Sequence, residues 1–429
     1  IRPQVCMNPI LLKPTNDTGS QVIVNGEVLE NMKARDYFAY KKKLIPDILK
    51  AYHTLEQQAD IIVIEGAGSP AEINLRENDI VNMAMAREAG AKVLLAGDID
   101  RGGLYASFLG TWLTFTPEER RLLAGFLVNR FRGDPSLLAP AHEYLDRATG
   151  APVLGVIPYI RSLNLPEEDS LSWNGARNAP STEPDALNVA VVILGHTSNY
   201  TDMAPLAMEP DVNLRAVRRP SEWGRPDLVI IPGSRNTALD LAKLRESGLD
   251  ALIRRHAEKN GWTLGICGGM QILGEKIRDP LSVETRQKST DGLGLLPLET
   301  ELASAKTLRR VENVATPLGV PASGYEIHHG VTRPTAEGLT FFGKEEEEGA
   351  VLGAGRGRCW GTYLHGLFDN DAFRRAFLNR VRSSLCLAPR EAGLVSYDTE
   401  RAISRLASIV RGHTDIDAIY RILGLKGRR

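Results

Sequence analysis

Short apolar runs closed by Gly or Pro recur along this chain and constrain its fold more than any other feature. They stand at 61–68 (IIVIEGAG), 92–100 (KVLLAGDID), 122–131 (LLAGFLVNRF) and 151–159 (APVLGVIPY). Runs of this kind are what strands buried on both faces look like. Between them lie stretches with helical spacing, and strands that alternate with helices imply a parallel sheet of α/β type. The pattern returns at 187–195 (LNVAVVILG), 227–233 (DLVIIPG), 263–266 (TLGI) and, after a poorer-patterned segment with several turn signals, 359–365 (CWGTYLH). The stretch 161–186 separates the two sets; it loses apolar periodicity and gains Pro, Ser, Glu and Asp, which predicts a linker. At 429 residues the chain is too long for one ordinary core. The expected layout is an α/β domain over 1–165, a linker over 166–186, a second α/β domain over 187–385 and a helical tail over 386–429.

The charge balance narrows the partners. Lys and Arg together number 52 against 53 Asp and Glu, and no basic block or basic-aromatic stretch occurs, so nothing supports a nucleic-acid or polybasic membrane surface. A small-molecule substrate fits better. The four cysteines, Cys6, Cys267, Cys359 and Cys386, form neither a CxxC pair nor a disulfide or zinc spacing, which suits a reducing cytoplasm. No apolar run approaches the ~20 residues that span a bilayer, and no signal-peptide layout opens the chain.

Gly265-Ile266-Cys267-Gly268-Gly269 follows a short apolar strand and precedes the helix-like MQILGEKI. This is the strand-to-helix elbow G-x-nucleophile-x-G, with cysteine as nucleophile. Glycines on both sides permit the strained turn, and a helix N-terminus favours a thiolate that attacks a carboxamide carbon. An isolated cysteine is more often a small buried hydrophobe; the flanking glycines reverse those odds. A thiol nucleophile needs a base, and His365 in Gly361-Thr362-Tyr363-Leu364-His365-Gly366 stands at a predicted strand end, where α/β sites collect. His328 and His329 in GYEIHHG are competing candidates. The turn from Ile231 to Thr237 closes another strand at the same sheet edge, so backbone N–H groups near Gly233 and Gly268 are the candidate oxyanion hole.

The N-terminal half supplies three segments that follow or end apolar runs: MNPILLKPT at 7–15, EGAGSPAE at 65–72 and GDIDRGG at 97–103. Glu65, a carboxylate at a strand end, is a candidate Mg²⁺ ligand beside nucleotide phosphates, which Gly66 to Gly68 let the backbone approach. Lys13 is a candidate bridge between a phosphate and a carboxylate oxygen. Asp98 and Arg101 are candidate nucleotide or substrate contacts, and Asn129 a candidate reader of a nucleobase edge. Each also has a plain reading: a lone Glu-Gly pair is usually a turn, and a strand-end Lys or Asn usually faces solvent.

Residues from about 187 to 380 resemble the class I, triad-type glutamine amidotransferase domain, which implies a flavodoxin-like fold and release of ammonia from glutamine. The acid usual two residues after the histidine is absent, since position 367 is Leu367. A Cys–His dyad of that kind is similar to the cobyric acid synthase branch. The whole chain resembles that family through MNPILLKPTNDTGSQVIVNG, VIEGAGSPAEINL, GDIDRGGLYAS, GHTSNYTD, DLVIIPGSRNT, GICGGMQILG, GYEIH and YLHGLF. The resemblance implies a dethiobiotin-synthetase-like, P-loop-type first domain that uses ATP and Mg²⁺, with Glu65 as metal ligand and Lys13 as phosphate or substrate contact. It implies amidation of the b, d, e and g carboxylates of adenosylcobyrinic acid a,c-diamide, a corrinoid, with glutamine as nitrogen donor. It assigns no role to His196-Thr197-Ser198-Asn199-Tyr200-Thr201-Asp202.

No G-x-x-x-x-G-K-[ST] occurs, and Ile1 stands just before the family's second motif. The expectation is a chain lacking the family's first strand, P-loop and following helix. Rival readings are cobyrinic acid a,c-diamide synthase, a nucleotide switch of the ParA/MinD kind, against which the Cys267 elbow speaks, and a corrinoid- or partner-binding scaffold without turnover.

Overall fold

A computed structural model describes residues 3–16, 19–160, 163, 165, 181, 183–343, 349–391 and 395–425. The chain divides into two compact units, Ile1–Leu163 with Arg401–Arg429, and Asn164–Glu400. The linker expected over 166–186 lies largely outside the described residues.

The first unit carries two sheets. Strands β1 (Ile10–Asn16), β2 (Gly19–Val24) and β3 (Glu27–Lys33) form an antiparallel sheet. Asn25 and Gly26, both in the left-handed region at φ 50° and 87°, turn β2 into β3. Strands β4 (Val93–Asp98), β5 (Leu123–Phe131) and β6 (Val153–Pro158) form the parallel sheet that the apolar runs predict. Its core gathers Leu104, Phe108, Phe126, Val128 and Leu145. Gly97 lets the helix Leu104–Thr114 lie against β4, because a Cβ there would meet Leu104 Cδ1 at 2.3 Å. The end of the chain returns to this unit: Val156 N donates to His413 O at 3.1 Å and Asp415 N to Leu154 O at 2.7 Å, along β6. Two helices, Thr399–Gly412 and Ile416–Ile422, flank that contact.

One expected strand is not formed. Residues 61–66 make no ladder, and Val63 is 90% exposed. A run of Ile and Val becomes a strand only with a neighbour to bond, and among the described residues none lies beside it.

In the second unit, β7 (Leu187–Val192), β9 (Val212–Val217), β10 (Leu228–Ile231), β12 (Trp262–Ile266) and β19 (Cys359–Thr362) are parallel, in the order β9-β7-β10-β12-β19. Read along the chain this is the 2-1-3-4-5 order of flavodoxin-like folds, whose ligands sit beyond the carboxyl ends of the strands. Strands β18 (Gly353–Arg356) and β17 (Thr340–Phe342) extend the sheet antiparallel. Leu228, Val229, Ile230 and Ile231 have no exposed surface, as befits a strand covered on both faces. The poorly patterned segment between β12 and β17 holds β13 (Lys276–Arg278), β14 (Ser289–Asp291) and the long hairpin of β15 (Leu298–Val314) and β16 (Ala322–Pro334). Two short strands, β8 (Thr197–Ser198) and β11 (Gly233–Ser234), pair antiparallel beyond the ends of β7 and β10.

After β19 the helix Asp371–Ser384 is anchored by buried charge. Arg374 donates to Glu209 at 2.7 Å, and Arg375 donates from both terminal nitrogens to Asp211 at 3.0 Å. Buried guanidinium groups need such paired acceptors. Among the described residues no helix is long and apolar enough to cross a membrane.

Candidate active site

The elbow predicted around Cys267 is present. Cys267 sits at φ 52°, ψ −110°, outside the regions open to most side chains, and caps the helix Gly268–Leu273. Its N–H donates to Thr362 O at 2.7 Å, and its carbonyl accepts from Met270 N at 2.9 Å. The glycines of the motif are demanded by space. A Cβ on Gly269 would stand 1.9 Å from Ile231 O, and one on Gly265 2.5 Å from Gly269 C. Both contacts are shorter than any packed atom pair allows, so β10, β12 and the elbow close up only with glycine there.

His365, at the end of β19, has no exposed surface. Its Nδ1 lies 2.7 Å from Asp202 Oδ2, while Asp202 Oδ1 accepts from Gly366 N at 2.8 Å. The Tyr325 ring stacks on the imidazole, centroids 5.3 Å apart, and the backbones of the two residues exchange hydrogen bonds of 2.9 and 3.1 Å. Nε2 is buried and, among the described residues, has no hydrogen-bond partner. With Nδ1 facing a carboxylate, Nε2 is the nitrogen left to exchange a proton on the Cys267 side. Burial works to lower the imidazole pKa, but the Asp202 carboxylate, with a smaller contribution from Cys267, raises it to about 10. Cys267 Sγ has Ile327 O at 3.8 Å as its hydrogen-bond acceptor.

The competing histidines are otherwise engaged. His328 faces Gly330 O at 2.8 Å from Nδ1 and Glu326 Oε2 at 3.0 Å from Nε2, so two oxygen acceptors occupy both ring nitrogens. It also stacks on Tyr363 at 3.7 Å. His329 bonds Ala303 O at 3.2 Å. His365 is the one of the three with a buried ring nitrogen left unbonded.

Gly233 and Gly268 come together with this pair. A Cβ on Gly233 would be 3.4 Å from His365 Cε1, and one on Gly268 2.8 Å from Ser234 N. The Gly233 turn therefore packs against the His365 ring, and the elbow at Gly268 packs against Ser234 of that turn. The arrangement can activate a thiol, hold a carboxamide carbon before it and protonate a departing amine.

In the first unit, Asp98 and Asn129 are register partners at the ends of parallel β4 and β5. Asp98 accepts from Arg130 Nη1 at 3.0 Å and from Asp100 N at 2.9 Å. Arg101 is exposed in the turn that follows. Lys13 belongs to the separate β1–β3 sheet, and Glu65 is exposed in the unpaired segment after residue 61. Among the described residues no hydrogen bond or ion pair joins either to the β4/β5 edge. A cavity of about 440 Å³ opens beside Gly68, Ser69 and Pro70, with Lys41, Arg76 and Asp79 in its wall. Among the described residues no three His, Cys, Asp or Glu side chains cluster to hold a metal. A Mg²⁺ at Glu65 would have that one carboxylate from this segment and would take its other ligands from nucleotide phosphates and water.

Asp202, the carboxylate that faces His365, is not singled out by the sequence. It stands in the GHTSNYTD motif, 163 residues before its histidine, and only the packing of the segment after β7 against the end of β19 brings the two together.

Comparison with known proteins agrees with both halves. Residues 188–373 match the CobB/CobQ-like glutamine amidotransferase domain, and residues 16–167 match an AAA domain. A cobyric acid synthase of Nitratidesulfovibrio vulgaris is 46% identical over 467 aligned residues, covering 99% of this chain and 86% of its own. Those of Sorangium cellulosum and Clostridium acetobutylicum are 43% and 42% identical, each covering 100% of this chain and 87% of its own.

Proposed function

This chain belongs to the cobyric acid synthase family, and we propose that it makes corrinoid amides with ammonia released from glutamine at Cys267. The observation that carries the reading is the strained, glycine-flanked Cys267 beside a buried His365 whose Nε2 is unbonded.

The thiolate of Cys267 attacks the carboxamide carbon of glutamine, and the oxyanion is held by amides of Gly268 and the Gly233 turn. The carbon–nitrogen bond breaks as His365 Nε2 gives its proton to the leaving nitrogen, so ammonia departs and a glutamyl thioester remains. Water then adds, with His365 accepting its proton, and glutamate leaves.

Ammonia alone does not displace the oxygen of a carboxylate. ATP supplies the activation: a substrate carboxylate attacks the γ-phosphorus, ADP leaves, and ammonia displaces phosphate from the acyl phosphate. The AAA-domain match supports ATP use by the first unit. Glu65 would hold Mg²⁺ and Lys13 a phosphate oxygen, with Asp98, Arg101 and Asn129 toward nucleotide or substrate. The substrate is adenosylcobyrinic acid a,c-diamide, amidated in turn at the b, d, e and g side chains. Four unpaired cysteines support a cytoplasmic setting.

The test is nitrogen counting. The chain is incubated with the diamide, ATP, Mg²⁺ and either ordinary or amide-nitrogen-15 glutamine, and the two products are compared by mass. A difference of four nitrogens supports the reading. Glutamine hydrolysed with no nitrogen transferred contradicts it, and two transferred to cobyrinic acid itself would favour the a,c-diamide synthase.

A further inference from the structure

The reading of Cys267 and His365 as nucleophile and base leaves open what holds the imidazole. Resting on that reading, we propose that Asp202 is the positioning residue for His365, delivered from the segment after β7 in place of an acid after the histidine.

The geometry of Asp202 is specific to that task. It is 3% exposed, and its two carboxylate oxygens divide between the imidazole Nδ1 and the N–H of Gly366, the residue that follows the histidine. The carboxylate thus fixes both the ring and the backbone that carries it. An acceptor at Nδ1 keeps the proton on that nitrogen and stabilises the imidazolium formed when Cys267 ionises.

The acid nearest in sequence does not serve. Asp369, four positions after the histidine, lies beside Gly366, where a Cβ would be 3.2 Å from its Oδ2, and it makes no bond to the ring. Burial and then the negative charge of Asp202 push its carboxyl up to about 7. The other titratable groups facing this centre are Tyr325, stacked on His365 from β16, and Tyr397, both raised first by burial, with Asp202 and Asp369 adding to it. Arg374 faces Asp369 with opposing sign.

The segment that carries Asp202 also touches the other side of the site. Thr197 and Ser198 pair with Ser234 and Gly233, and His196 Nδ1 lies 2.9 Å from Asp240 Oδ1, whose Oδ2 accepts from Ser234 Oγ at 2.6 Å. One segment therefore sets the base through Asp202 and the oxyanion turn through β8.

The test uses the full chain, Asp202→Asn and Asp369→Asn. Glutamine hydrolysis is followed together with the rate at which iodoacetamide alkylates Cys267 across pH. Asp202→Asn is expected to lower kcat for glutamine by up to about 10⁴-fold, the scale of an orienting acid in a triad. It is also expected to move the alkylation midpoint to higher pH, since the thiolate loses its imidazolium partner. Asp369→Asn is expected to leave both close to the unmodified chain. An Asp202→Asn alkylation profile that superposes on the unmodified one overturns the proposal, and so does a larger loss in Asp369→Asn. Should Asp202→Asn not fold, nitrogen-15 histidine spectra of the unmodified chain decide: His365 Nδ1 keeps its proton from about pH 6 to about pH 9 if Asp202 holds it, and titrates like a free imidazole if not. Alkylation needs no glutamine, so a chain without glutaminase activity would refute the functional reading while the Asp202 test still stands.

Discussion

His365 Nδ1 lies 2.7 Å from Asp202 Oδ2, across 163 residues of chain. That contact joins the segment after β7 to the end of β19, so the proposed site draws on the ends of four strands, with its acid after β7, its oxyanion turn after β10, its nucleophile after β12 and its base after β19. The proposed chain order, acid then cysteine then histidine, is open to such a site because triads are recognised by geometry and not by sequence position.

The division of labour between the two units predicts separable activities. Cys267→Ser should lower glutamine-dependent amidation by about 10³-fold or more while leaving amidation from free ammonium intact. Steady-state assays with each nitrogen donor decide it, and loss of both would contradict the separation.

Glu65→Gln should do the reverse. Removing the candidate Mg²⁺ carboxylate should suppress ATP-dependent synthesis by about 10²-fold and spare basal glutamine hydrolysis, measured as glutamate release without ATP. Unchanged synthesis would remove Glu65 from the nucleotide site.

The elbow glycines should matter by steric reach. Gly269→Ala places a methyl 1.9 Å from Ile231 O and should cost about 2–4 kcal/mol in chemical denaturation, with glutaminase activity lost. Gly248→Ala is the control: among the described residues, chain neighbours aside, no heavy atom lies within 4 Å of an added Cβ, and only its φ of 77° opposes a side chain, at about 1 kcal/mol. Equal costs would show that crowding is not what selects glycine at 269.

Two buried groups should make stability fall as pH rises. His365 is raised from 6.5 to about 10, so its contribution is complete below pH 6.5 and is lost as pH climbs through 10. Asp369 is raised from 3.8 to about 7, so the folded state holds a proton that the unfolded chain releases, and stability declines between those values. Asp369→Asn cannot ionise and should flatten the acid part of that slope. Denaturation midpoints from about pH 4 to pH 10 measure both.

What was legible in the sequence was local. Cys267 shows itself because strand, turn and helix adjoin it and glycines flank it, and His365 because it ends an apolar run. Asp202 does not, because its partner is set by tertiary packing. The strand expected within 61–68 fails for a related reason: composition offers a strand, but pairing needs a second one. The hairpin of β15 and β16 escapes notice because Lys306, Arg309, Arg310 and Glu312 interrupt its alternation. The β2–β3 hairpin did carry a signal in Asn25-Gly26, the dipeptide suited to two successive left-handed positions.

The proposed glutaminase chemistry passes through a covalent glutamyl intermediate on Cys267. The chain is mixed with glutamine, quenched in acid within the turnover time, digested, and the peptide bearing Cys267 is weighed. This peptide should gain the mass of a glutamyl group, and His365→Gln should abolish the gain. Glutamine consumed with Cys267 unmodified, or the adduct found on another residue, would contradict it.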